Sequence, residues 1–139
     1  MDILVLIARI LFVGLFLSSG YGHLTQTAAM TGYAQSRGVP AARIMVLASG
    51  ILIIVGALMV LLGIWGDLGA LFLIAFLLPT AVWMHGFWKE TEPMARITEQ
   101  VQFSKDIALS GGALAFLVLF AYAGDNLGLT ITGPLFNLS

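Results

Sequence analysis

The chain has 139 residues, a single-domain length, of which 60% are apolar and only 9% charged, with a mean hydropathy of +1.02. Soluble domains carry about 25% charged residues, and a chain this poor in charge would leave large apolar patches in water, so lipid is the expected solvent. A net charge of −1 lacks the basic face that nucleic acid demands, and the absence of cysteine excludes dithiol exchange, iron–sulfur ligation and thiolate zinc sites.

The first apolar run, Ile3 to Leu24, is long enough to span, since ~20 helical residues cross a ~30 Å hydrocarbon core. No Lys or Arg precedes it and no small-x-small cleavage site follows, so it reads as a retained span rather than a signal peptide. The connection Thr25 to Pro40 holds a candidate interfacial helix over Thr27–Gln35. Its end, Gly38-Val39-Pro40, is a helix stop followed by a restart. A second run covers 42–64. The turn Trp65-Gly66-Asp67 is so short that the third run, 68–87, must be its antiparallel neighbour, with a kink expected at Pro79. The polar stretch Lys89 to Phe103, with Glu90, Glu92, Pro93, Arg96 and Glu99, reads as a solvated loop. The fourth run is 107–123, and the tail Leu127 to Ser139, broken by Gly128, Gly133 and Pro134, does not look able to span. The expected fold is all-α: one transmembrane domain over 1–139, a four-helix bundle with a short outer turn and longer cytoplasmic loops. Arg37, Arg43, Lys89, Arg96 and Lys105 fall in the two loops on one side, whereas Asp2, Asp67 and Asp125 mark the other. Basic loops stay cytoplasmic, which puts both termini outside.

Helices in lipid associate through close contact at small residues. Gly14, Ser18 and Gly22 form one candidate packing stripe, Ser49, Gly56 and Gly63 a second, and Ser110-Gly111-Gly112 a third cluster. Trp65, Trp83 and Trp88 lie near span boundaries, where aromatic residues anchor.

Ionisable residues within a span are costly and need a partner or a use. Arg9 shares a helix face with Phe16, Gly20 and His23. Its depth suits a structural ion pair with Asp67 or Asp125, or alternatively the anchoring of an anionic headgroup. At the inner end His23, His85, Lys105 and Asp106 converge from three helices, and Trp88 adds an aromatic wall. A few placed polar groups among aromatic rings is how small-molecule sites are built. Such a site could take a quinone head with histidine as hydrogen-bond partner or proton relay, while ordinary interfacial roles are the plainer alternative. Bis-histidine haem is disfavoured, because it needs both imidazoles on opposite sides of one plane at bonding distance from iron. No pair of metal-spaced histidines, phosphate-binding glycine loop or nucleophile elbow occurs.

The motifs also resemble a family. Ala8-Arg9-Ile10 with Ser19-Gly20, then Gly38-Val39-Pro40, His85-Gly86-Phe87-Trp88 and Gln102-Phe103-Ser104-Lys105-Asp106-Ile107, in this order between about Leu6 and Ala123, resemble the DoxX family of small bacterial membrane proteins. The resemblance implies a four-helix inner-membrane protein. The family name comes from an association with a thiosulfate:quinone oxidoreductase, and some members are linked to oxidoreductase complexes and oxidative-stress defence. Two positions depart from the family pattern. The second span is uncharged from Ile44 to Ile64 where many members carry an acid, and Asp106 replaces the common Asn.

The expected function is therefore a membrane subunit supporting a redox or oxidative-stress system and contacting quinone. His23, His85, Trp88, Lys105 and Asp106 are the ligand-binding candidates. No self-contained catalytic site is visible, so an oxidoreductase partner protein would have to supply electrons. A non-enzymatic anchor docking a partner through Lys89–Gln102 is the alternative, and a small-solute transporter ranks below it. Four short helices enclose little interior, which leaves room for a homo-oligomer.

Overall fold

The structure, a computed structural model, describes residues 1–138, among which there are helices and no strand. Helix α1 covers Asp2–Thr25, α2 Thr27–Ser36, α3 Ala42–Leu62, α4 Gly66–Trp83 and α5 Pro93–Ala123, with single 3-10 turns at Phe87–Lys89 and Gly124–Asn126. Four of the helices are long and apolar enough to cross a membrane. In space α1 packs on α3, α3 on α4 and α4 on α5, and the Phe12 and Phe116 rings, 5.0 Å apart, close α5 back onto α1. The short α2 packs on α3.

Glycine lets two of these crossings form. A methyl on Gly69 would stand 2.8 Å from the Gly56 carbonyl oxygen, and one on Gly50 would stand 2.7 Å from the His23 Cβ. Backbone contact this close replaces the hydrophobic drive that lipid does not supply. The buried faces then meet through Val13 and Phe16 of α1, Ile53, Ala57 and Val60 of α3, Leu73 and Leu77 of α4, and Ala113 and Phe120 of α5.

The expected packing stripe on α1 is corrected. Gly14 has nothing within 4 Å of an added methyl and Ser18 is exposed, whereas Arg9, Val13, Phe16 and Gly20 are the buried positions. The face that carries Arg9 is thus the packed one.

The larger correction concerns Lys89 to Phe103, expected as a loop. Glu92 caps a helix that begins at Pro93: its Oε1 accepts from Met94 N at 3.0 Å and its Oε2 from Ala95 N at 2.6 Å. An acidic N-cap followed by proline at the first helical position satisfies donors that would otherwise be orphaned. Those backbone bonds also hold the Glu92 carboxyl below its ordinary pKa. At 1.5 Å per residue, α5 is about 46 Å long against a hydrocarbon core of ~30 Å, so its first turns stand clear of the apolar layer. The other observed bounds also differ from the expected ones, with α3 ending at Leu62, α4 running from Gly66 to Trp83, and the apolar fourth run lying wholly inside α5.

The tail folds back over the end of the bundle that holds the N-terminus and the Trp65 turn. Ile131 N bonds Leu62 O at 3.1 Å, Thr132 N bonds Gly63 O at 3.0 Å, and Trp65 N donates to Thr132 Oγ1 at 2.8 Å. The chain ends therefore share one side with the α3–α4 turn.

Candidate functional site

A cavity of about 510 Å³ lies at the other end, walled by α1, α2, α3 and α4, and both histidines line it. His23 comes from the last turns of α1, where the close Gly20–Gly50 crossing holds α1 against α3. His85 follows α4, whose last residue, Trp83, and C-cap, Met84, also line the cavity. Between them Phe76, Pro79 and Thr80 present α4, and Val46, Ser49 and Leu52 present α3. Pro79 has no N–H to give to the carbonyl of Ala75, four residues earlier, and both residues line the cavity. Most of the wall is apolar, and exposed Met45 and Trp83 form part of its rim, so the cavity opens between helices.

Each imidazole is anchored through one nitrogen. His23 Nδ1 lies 3.1 Å from Val46 O and 3.0 Å from Ser49 Oγ, with the ring set edge-on to Phe76 at 5.8 Å. His85 Nδ1 lies 2.7 Å from Glu99 Oε2, and its Nε2 is 3.8 Å from Asp106 Oδ2.

Behind His85 a side-chain network ties three elements together. Arg37, just past α2, bonds Glu90 Oε1 through Nη1 and Glu99 Oε1 through Nη2 at 2.8 Å. Tyr33 of α2 donates to Glu99 Oε1 at 2.7 Å, and its ring lies under the Arg37 guanidinium at 5.2 Å. Burial together with the hydrogen bond to Glu99 pushes the Tyr33 phenol up to about 12, so it stays a donor. Burial alone would lower the Arg37 pKa, but its hydrogen bonds to Glu90 and Tyr33 and the charges of Tyr33 and Glu99 together outweigh that and the net direction is up. One charge-assisted bond in such a network contributes about 1.5–3 kcal/mol.

The expected site residues divide. The structure brings His23 and His85 to one cavity and leaves Trp88, Lys105 and Asp106 out of its wall. Trp88 packs edge-on against Phe87 and Phe103 at 5.3 and 5.7 Å, so Trp83 is the cavity's tryptophan. Lys105 turns to Gln102 Oε1 and stands 3.7 Å from Asp106 Oδ1. Asp106 is buried and meets His85 from behind.

Arg37, Tyr33, Glu90 and Glu99 were not among the expected residues. The signal for Glu99 was its place seven residues before Asp106, two helical turns along one face, hidden as long as that stretch was taken for a loop.

The ion pairs expected for Arg9 do not form. Among the described residues no carboxylate oxygen lies within 4.0 Å of its guanidinium. Arg9 is fully buried, donates from Nη2 to Leu129 O at 2.7 Å, and has Phe120 at 6.0 Å, while its Nε and Nη1 have no hydrogen-bond partner among the described residues. Asp67, also fully buried, accepts instead from the tail, from Leu135 N at 3.0 Å and from Phe136 N. Asp125 is exposed beside Gly133. The tail reaches both buried charges first, which sequence spacing could not reveal. Among the described residues no group of three or more His, Asp or Glu is disposed to hold a metal ion.

Comparison with known proteins gives concordant results. The sequence model of the DoxX family matches residues 4–86. The chain is 32% identical over 128 residues to a protein of Escherichia coli (strain K12) called inner membrane protein YqjF, covering 91% of this chain and 92% of that one. No solved structure matches.

Proposed function

The chain belongs to the DoxX family, and on that premise we propose that it is a membrane subunit of a redox or oxidative-stress system that holds a quinone-type ring in the two-histidine cavity. It is a multi-pass protein of the inner membrane. The observation that carries the reading is the cavity itself: about 510 Å³ of mostly apolar wall, opening between helices, with an imidazole on α1 and another after α4. That combination suits a ligand with a greasy body and a few polar atoms, and one that reaches its site through lipid. Quinone reduction takes up two electrons and two protons. The electrons would come from a partner oxidoreductase, since the chain has neither thiol nor nucleotide-binding glycine motif. His85, joined to Glu99 and so to the polar network, is placed to pass protons from the cytoplasmic side. The basic residues of the α2–α3 connection and of the approach to α5 support a cytoplasmic position for that end and an outside position for both termini.

Quinones quench tryptophan fluorescence on contact, and only Trp83 of the three tryptophans lines the cavity. Titrating the detergent-purified protein with a short-chain benzoquinone should quench its emission saturably, and Trp83→Phe should remove most of the saturable part. Absence of quenching at saturating quinone would refute the ring-binding reading.

A second reading is favoured by a different feature. Met94, Ile97 and Val101 are 67%, 55% and 61% exposed on the part of α5 that extends beyond the core. Their spacing sets them on one helical face, which suits an anchor for a partner protein. If that is the main role, Ile97→Ser with Val101→Ser should abolish copurification of the partner, whereas His23 and His85 substitutions should leave it intact.

A further inference from the structure

We infer that the cavity selects rings bearing a hydroxyl donor, the reduced quinol form over the quinone; this rests on the ring-binding reading above and narrows it. The Ser49 hydroxyl donates to Val46 O at 3.0 Å, which commits its single proton. Val46 O, a carbonyl, can only accept, and it lies 3.1 Å from His23 Nδ1. A bare Nδ1 there would set lone pair against lone pair, so the proton of the neutral ring sits on Nδ1. Nε2 is then the acceptor. It makes no hydrogen bond among the described residues, and the ring lines the cavity.

His85 is set differently. A carboxylate oxygen, Glu99 Oε2, stands 2.7 Å from its Nδ1 and accepts from it, and its Nε2 lies 3.8 Å from Asp106 Oδ2, a side chain outside the cavity wall. His85 therefore takes no part in this selection. Ser49 has no proton left to offer, and the Thr80 hydroxyl can donate or accept and so does not discriminate. A quinone brings only acceptor oxygens and would meet His23 Nε2 acceptor to acceptor. A quinol brings an O–H donor that matches it.

The test uses the full-length protein in mild detergent and calorimetric titration with three probes: a decyl-substituted para-benzoquinol kept reduced, the matching quinone, and the quinol dimethyl ether. One hydrogen bond corresponds to about a fivefold difference in affinity. The quinol should bind at least about fivefold more tightly than the quinone or the ether, and His23→Leu should erase most of that margin. Because His23→Leu could perturb the α1–α3 crossing, the wild-type protein supplies a second readout. In nitrogen-15 spectra His23 should show protonated Nδ1 and unprotonated Nε2, with the Nε2 resonance moving on addition of the quinol. Quinone binding as tightly as quinol, or a His23 proton on Nε2, would overturn the inference and leave the ring-binding reading standing. Failure of all three probes to bind would overturn both.

Discussion

The two ends of the bundle solve the same problem with different materials. Each buries charge in a molecule surrounded by lipid. At the end that holds the termini, the partners are backbone: the Leu129 carbonyl for one nitrogen of Arg9, and the amides of Leu135 and Phe136 for Asp67. At the opposite end, Arg37, Glu90, Glu99, Tyr33 and His85 satisfy one another through side chains drawn from three elements. Peptide groups do not titrate in the ordinary range and cannot be exchanged by a rotamer flip, so the first arrangement is a fixed closure. The second is a network of titratable groups that borders the cavity directly through His85. The difference separates a structural use of buried charge from a chemical one, although both ends look alike in a list of polar residues.

Substitutions can break that contrast. Asp67→Ala removes a buried carboxylate holding two amides, and at 1.5–3 kcal/mol per charge-assisted bond it should cost about 3 kcal/mol or more. Thermal unfolding in detergent should fall accordingly and protease should reach the tail beyond Leu127, while the cavity end keeps its ligand response. Loss of ligand response in parallel with tail release would show that the ends are not separable in this way. Glu99→Gln leaves the shape but removes the charge shared by Arg37, Tyr33 and His85, and should cost about 2 kcal/mol. Hydrogen exchange in α2 should speed up, with the tail amides unchanged. Arg37→Lys keeps the charge but not the fork that reaches two carboxylates, and about 1 kcal/mol of stability should go with it. The same exchange measurement, read over α2 alone, checks that value.

The mildest effect is with alkali. Tyr33 has its folded pKa raised from 10.0 to about 12. Its contribution to stability is therefore complete below pH 10 and is lost as pH rises through 12. The ultraviolet titration of the wild type minus that of Tyr33→Phe should show one phenol ionising near the upper value. A difference curve centred near 10 would mean that the phenol does not sit in the network.

Much of the architecture could be read from the residues because lipid imposes a simple rule: apolar runs must be helical and long enough to cross. The tight Trp65-Gly66-Asp67 turn forces α3 and α4 to be neighbours, and Gly56 with Gly69 allows their close approach. His23 and His85 could be put at one depth because the first and third apolar runs end on the same side of the bundle. Charge density misled where it was equated with irregular structure. Residues 93–103 are polar because that part of α5 extends beyond the hydrocarbon, not because the chain is unwound there. The pairing of Arg9 failed for another reason. Spacing along α1 fixes the face on which Arg9 lies, but the path of a coil such as 127–138 depends on which buried donors it can reach, and no periodicity encodes that.

A single continuous rod carries Glu99, Asp106 and Phe120. Any twist of α5 that swung Glu99 clear of Arg37 would turn Phe120 away from the guanidinium of Arg9 by the same angle. Occupancy changes next to His85 thus have a mechanical route to the opposite face of the membrane, through the stiffness of one helix and without any relay of neighbouring side chains.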